Sequence, residues 1–236
     1  MRHNNANKMK SFNQYQNPAL AIDLVVFGYH DSDLFVLLLN RKEAPFKDRW
    51  TLPGAFLQME ELFQDTCNRI LKTKLGMTNI FLEQLYSFDQ LERDPRGRVI
   101  SVTYFALINP TKFEVVAGNM ANDVKWFKTG DIPKLGFDHT MLFKKALQRL
   151  QSKILYYPVG FELLDETFTM PELHELYETI LGITIDRRNF RRKILASDYI
   201  ISTGTKREGL QNRHPDLYKF NKKLQPNQFH INIDLQ

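Results

Sequence analysis

The sequence predicts an α/β protein, a three-layer α/β/α sandwich followed by a small winged helix-turn-helix. Three observations carry this expectation. Strand-like and helix-like stretches alternate up to about residue 152. The run VISVTYFALI is apolar at both phases of its two-residue period, as in a central strand covered on both faces. From Lys153 onward the order becomes helix, short turn, helix, hairpin.

Ala19–Phe27 (ALAIDLVVF) and Leu34–Leu39 (LFVLLL) read as strands joined by the polar turn YHDSD. A loop over Arg41–Phe56 carries Pro45, Pro53 and Gly54. A helix from about Glu60 to Leu75 follows, with Leu62, Phe63, Cys67, Ile70 and Leu71 at helical spacing and Gly76 as its stop. Strands are expected at Ile80–Leu91 and Arg98–Ile108 around the turn ERDPRG, and at Val124–Phe127. A helix from Asp138, placed to cap it, to about Ser152 closes the first domain. In the second domain, Thr169 stands three residues before Glu172, with Pro171 in the first turn, which is the signature of a capped helix over Phe168–Leu181. Leu173, Leu176, Tyr177 and Ile180 form its buried stripe and Gly182 ends it. Asp186 caps the second helix, Arg187–Ser197, and Tyr199–Phe220 reads as a two-stranded hairpin. These divisions give a polar arm (1–18), an α/β domain (19–152), a winged helix (153–223) and a tail (224–236).

With 236 residues and 43% hydrophobic composition the chain can bury a full core. A net charge of +5 and a pI near 9.2 favour anionic partners. A single cysteine, Cys67, excludes an intrachain disulfide framework, fits a reducing cytoplasm and falls on the apolar side of its helix as a core filler. No apolar run reaches the roughly 20 residues that span a bilayer, and the N-terminal stretch lacks a signal-peptide core. No membrane partner is expected.

Charge is unevenly distributed. Residues 151–185 carry a net −5, whereas 186–223 hold eleven Lys and Arg against four Asp and Glu, a net +7. At about 100° per residue, Arg187, Arg191, Arg188 and Arg192 share one flank of the second helix, while Phe190 and Ile194 anchor the other. Leu195 falls inside the basic arc. On an isolated helix this would be a solvated face. As the second helix of a helix-turn-helix followed by a basic wing, it points to double-stranded DNA. Arginine can pair with guanine and Asn189 with adenine, each worth about 1–3 kcal/mol of discrimination. Lys193 adds to the same helix. Lys206, Arg207 and Arg213 on the wing suit phosphates, which fix register without reading sequence. Spacing does not decide which arginine reads a base.

The stretch WTLPGAFLQMEELFQDTCNRILKTKLGM resembles the Nudix box, written Gly, five residues, Glu, seven residues, then Arg-Glu-apolar-x-Glu-Glu-x-Gly. Ala55 takes the first Gly, Glu61 the first Glu, Arg69 the Arg and Gly76 the last Gly. The three helix glutamates fall on Ile70, Thr73 and Lys74, none of which offers magnesium an anionic oxygen. Glu61 and Arg69 are expected to pair and hold the loop on its helix. The segments FTMPELHELYETILG, DRRNFRRKIL and LYKF, with WTLPGAF, RDPRGRVISV and LGFDH earlier, resemble the Nudix-related transcriptional regulators over about residues 19–220. That resemblance implies a homodimeric DNA-binding regulator, in type a repressor. Its catalytically degenerate Nudix-like domain would bind a sugar or ADP-ribose-type effector, with no cofactor and no catalytic residue. Arg41, Arg49, Trp50, Arg93, Asp94, Arg96 and Arg98 lie on loops expected near the cleft. Arginines there would meet phosphate or sugar and Trp50 would stack on a ring, the duller alternatives being a core tryptophan and a solvated RDPRGR turn. His139 reads as a structural residue at a helix start. Two other readings stand beside this one. A Nudix hydrolase of ADP-ribose or a related diphosphate would have to rebuild a metal site from Glu83, Glu92 or Asp94. A sensor could instead use its basic face for a protein partner.

Overall fold

Alternating apolar residues in long strands put two apolar surfaces on one sheet, and the chain covers both. The computed structural model describes residues 16–113, 121–208 and 214–223. The first lobe contains β1 (Ala19–His30), β2 (Asp33–Arg41), β3 (Trp50–Thr51), β4 (Gly54–Phe56), α1 (Phe63–Leu75), β5 (Phe81–Phe88), β6 (Val99–Ile108), β7 (Ala121–Lys128) and α2 (His139–Lys153). The sheet runs β3-β2-β1-β6-β5, with β4 paired to β1 and β7 to β2. Among the described residues only β1 and β6 pair in parallel, from Ala19 opposite Val99 to Gly28 opposite Ile108. β6 is therefore the internal, doubly covered strand that its composition predicts.

Ile22, Leu24 and Val26 of β1 face α1, where Cys67, Ile70, Leu71 and Leu75 complete one core. Val25 and Phe27 face the other way, onto Leu142, Phe143, Ala146 and Leu150 of α2. This is the α/β/α sandwich. Burial pushes the Cys67 thiol up to about 12, so it is an inert core group.

Several boundaries differ from expectation for identifiable reasons. α1 starts at Phe63, because Asp65 accepts the Leu62 N–H at 2.9 Å and leaves Glu61 in the loop before it. The loop 41–56 contains two short strands, whose partners β1 and β2 are distant in sequence. β7 spans eight residues because β2 gives it a long partner, although its own burial is patchy. Asp138 occupies the N-cap of α2 without capping it, since its carboxylate is taken by Arg93.

The second lobe adds α3 (Gly160–Leu163), β8 (Phe168–Thr169), α4 (Met170–Leu181), α5 (Arg187–Ala196), β9 (Ile200–Lys206) and β10 (Asp216–Phe220). The capping box of α4 forms as expected: the Thr169 N–H donates to Glu172 at 2.7 Å and the Glu172 N–H to Thr169 Oγ1 at 3.4 Å. Gly182 ends the helix at φ 69°. The wing has a third strand that the sequence did not suggest, with the two residues of β8 pairing with β10. Phe220 of β10 packs so closely on α3 that a Cβ at Gly160 would stand 2.5 Å from its ring. The apolar core is continuous between the lobes, since Val25 and Phe105 of the sheet belong to the same cluster as Leu173, Tyr177, Phe190 and Phe220.

Candidate effector cleft and nucleic-acid interface

A cavity of roughly 240 Å³ opens beside the loop before α1. Arg41, Arg93, Asp94 and Arg96 line it, together with Asp23, Lys74, Phe56, Phe137 and His139. Its floor is a buried network centred on Asp23. One Asp23 oxygen accepts from Ser101 Oγ at 2.7 Å and from Arg93 at 3.2 Å, while the other lies 3.7 Å from His139 Nε2. Arg93 also grips Asp138 with two hydrogen bonds of 3.0 and 2.9 Å. Its charge is thus spent within the protein, and it positions the loop 89–98. The Leu52 N–H donates to His139 Nδ1 at 2.9 Å, which leaves the ring proton on Nε2. Burial lowers the pKa of this imidazole and keeps it neutral, as fits its expected structural role.

The RDPRGR turn is more than a solvated hairpin. Asp94 accepts from the Arg96 backbone N–H and, with both oxygens, from its guanidinium at 2.9 and 2.7 Å. These bonds hold the Asp94 carboxyl below the usual range. They place the Arg96 guanidinium 5.1 Å from the Phe56 ring and 5.8 Å from the Phe137 ring. Arg41 stands 5.1 Å from the other ring contact of that group, Phe137, which itself stacks on His139. Phe137 holds φ 54°, a conformation that bulky residues rarely adopt and that clusters at ligand sites.

Three expected effector residues are placed elsewhere. Trp50 packs edge-on against Phe127 at 4.8 Å and fills the core side, the duller of its two readings. Arg98 donates to the carbonyls of Asp89 and Gln90, and Arg49 is exposed outside the cavity. Phe56, Phe137 and Lys74 line the cavity although the sequence reading assigns them no place in it. LGFDH and the box marked the segments, but the rings' placement depends on contacts distant in sequence.

In the second lobe, Arg187, Arg188, Arg191 and Arg192 are all exposed on α5, while Phe190 and Ile194 are buried. Phe190 packs edge-on against His174 at 5.0 Å and Tyr177 at 5.1 Å. Burying such a ring contributes about 1.5–3 kcal/mol, enough to fix which flank of α5 faces out. The turn between the helices is pinned twice, by Glu178 accepting the Ile185 N–H at 2.7 Å and by His174 Nε2 at 2.8 Å from the Ile185 carbonyl. Asp186 caps α5 by accepting the Asn189 N–H at 2.7 Å. Asn189 and Lys193 are half-buried, and the Asn189 side-chain oxygen accepts from Arg192 at 2.7 Å. Base reading by Asn189 would require that bond to open. Lys206 is exposed on the wing. Arg207, expected to grip phosphate, instead pairs with Glu172 of the α4 capping box, because the folded hairpin brings them together. Arg213 lies outside the described residues. Leu195 is exposed beside the basic arc, as its helical angle predicts.

Residues 17–146 match the family described as NUDIX domain, and residues 160–220 match the NrtR DNA-binding winged helix domain. Over 211 residues the chain is 32% identical to the ADPR responsive transcriptional repressor NtrR of Acinetobacter baylyi, covering 87% of this chain and 83% of that protein. The chain belongs to the NrtR family. In solved structures, the fold is similar to Shewanella oneidensis NrtR complexed with a 27mer DNA, with a TM-score of 0.78, 35% identity, and coverage of 92% of this chain and 99% of that one. The first lobe is similar to the NUDIX domain of that NrtR complexed with ADP ribose, at 0.54 and 33%, covering 60% of this chain and 94% of that one. Within this NrtR-family chain, the positions of the hydrolase glutamates do not suit a magnesium ion. Ile70 is fully buried in the core under the sheet, the Thr73 hydroxyl donates to the Arg69 carbonyl at 2.6 Å, and Lys74 brings an ammonium. Of the acids that would have to rebuild a site, Glu83 pairs with Lys153 at 2.6 Å and Asp94 with Arg96. Among the described residues no group of three or more His, Cys, Asp or Glu side chains is placed to hold a metal. Nor is any helix among them long and apolar enough to cross a membrane.

Proposed function

We propose that this NrtR-family chain is a cytoplasmic, homodimeric transcriptional repressor whose Nudix-domain cleft binds ADP-ribose, and that the ligand changes its affinity for operator DNA. One arrangement carries the reading: a cleft lined by Arg41, Arg96 and aromatic rings shares one continuous core with a helix that exposes four arginines. The cleft suits a nucleoside diphosphate sugar. Arginine meets diphosphate oxygens, and the exposed ring of Phe56 with that of Phe137 offers stacking surface for a nucleobase. The helix suits the major groove, and a two-fold dimer predicts operator half-sites about one helical turn apart or a multiple of it.

Cleavage of the ligand is not part of this function, because the three helix glutamates of the box are replaced and the carboxylate that remains, Glu61, is held by Arg69. The testing experiment is a gel shift on the chain's own upstream region with and without ADP-ribose. The expected result is sequence-selective, salt-sensitive binding that ADP-ribose weakens. Binding that ADP-ribose leaves unchanged, or magnesium-dependent loss of ADP-ribose in the same tube, would overturn the reading.

A further inference from the structure

Lys74 stands where the last glutamate of the Nudix box would stand, and it is not simply a neutral loss of that acid. It sits in the last turn of α1, where the helix dipole favours a cation. Its ammonium crosses to the cleft and donates to the Gly54 carbonyl. Gly54 in turn lies against Asp23, so closely that a Cβ there would be 2.2 Å from the Asp23 carboxylate. The charge of Asp23 is already engaged by Arg93 and Ser101. Among the described residues Lys74 forms no ion pair with a carboxylate, and burial lowers its pKa. Asp23 offsets part of that burial at a distance, but its carboxylate is shared with Arg93, so the ammonium stays costly and an anion in the cleft would relieve it.

We propose that the Lys74 ammonium takes the part a divalent cation plays in Nudix hydrolases, binding the effector's diphosphate directly and making recognition independent of metal. This rests on the reading of the cleft as an ADP-ribose site. A lysine supplies one positive charge at the phosphates, yet it neither polarises a water molecule nor holds two metals on either side of the scissile bond. The same substitution therefore keeps affinity and removes turnover, which is what a sensor requires of a former hydrolase site.

The test uses the full chain and calorimetric titration of ADP-ribose and, separately, inorganic pyrophosphate, each in EDTA and in excess magnesium. Wild type is expected to bind ADP-ribose equally in both buffers. Lys74→Met should lose about tenfold or more in affinity, equivalent to about 1.4 kcal/mol, with Lys74→Arg recovering part of it. Without ligand, Lys74→Met should melt higher than wild type, since it removes a buried cation; Lys74→Gln serves as a second variant if the methionine protein aggregates. Loss of wild-type binding in EDTA, or unchanged affinity in both the Met and Gln variants, would overturn the proposal. Lysine-dependent binding of pyrophosphate without binding of ADP-ribose would leave Lys74 in its role and sink the nucleotide assignment. Binding of neither ligand would sink both.

Discussion

Glu61 and Arg69 are the charged survivors of the hydrolase signature, and their geometry explains their retention without catalysis. Arg69 meets both oxygens of Glu61, at 2.5 and 2.8 Å, and its second nitrogen reaches the Phe56 carbonyl at 2.9 Å. Glu61 also accepts from Thr66 at 2.8 Å. The pair ties the loop carrying Phe56 to α1 and so keeps one wall of the cleft in place. The Arg69 hydrogen bonds hold the Glu61 carboxyl down at about 2. Because the folded value lies below the unfolded one, the pair stabilises the fold above the ordinary glutamate range. That contribution disappears as pH falls from about 4.5 toward about 2. Urea melts of wild type and Glu61→Gln should therefore differ at neutral pH and converge through that window. A gap independent of pH would mean that shape, not charge, matters at this position.

At the scale of elements, α5 and α1 make opposite predictions. The arginines of α5 are exposed, so Arg188→Ala and Arg191→Ala should leave melting unchanged and weaken operator binding, with at least one relaxing sequence preference by about 1–3 kcal/mol. Unchanged binding in both would contradict docking through this helix. α1 should behave the other way. Restoring the three glutamates together, at Ile70, Thr73 and Lys74, buries a carboxylate in the core where Ile70 is fully enclosed. Several degrees of melting temperature should be lost before any hydrolase activity is gained. A thermal scan of the triple variant beside a magnesium-dependent turnover assay decides the matter. The two helices also mark what was legible in the sequence. The buried flank of α5, the capping box of α4 and the doubly covered β6 follow from period, spacing and local hydrogen bonds, all of which a sequence carries. β3, β4 and β8 could not be read, because each is two or three residues long and exists only through a partner elsewhere in the chain. The cleft was half legible for the same reason. Arg93, Asp94 and Arg96 sit on a loop whose motif marks them and Arg41 ends β2, whereas the turns of Phe137 into the cleft and of Trp50 onto Phe127 depend on packing among α2, β7 and the 41–56 loop.

For the whole molecule, the question is how a ligand in one lobe reaches a helix in the other. The cleft and α5 share no residue, but the lobes are joined by a common core and by specific hydrogen bonds across the junction. Thr179 of α4 donates to the Ser32 carbonyl of the β1–β2 turn at 3.0 Å. Asn109, after β6, donates to Asp165 at 3.0 Å, with Lys112 at 4.0 Å from the same carboxylate. β1 and β6 also carry Asp23 and Ser101 of the cleft floor, so the strands that feel the ligand end at these contacts. An apolar core resists separation yet permits small sliding, whereas directional bonds select one relative placement. The bonds at Thr179 and Asp165 should therefore set the orientation of the winged helix that the proposed cleft ligand would alter. The double variant Thr179→Val, Asp165→Ala should bind ADP-ribose and operator DNA separately with near wild-type affinity. It should lose most of the ligand-induced change in operator affinity, a coupling that in allosteric proteins amounts to about 1–3 kcal/mol. Titrating DNA with and without saturating ADP-ribose, in wild type and variant, measures that coupling directly. An intact ligand effect in the variant would place the communication in the shared apolar core or between subunits, and these surface-side bonds would then serve stability alone.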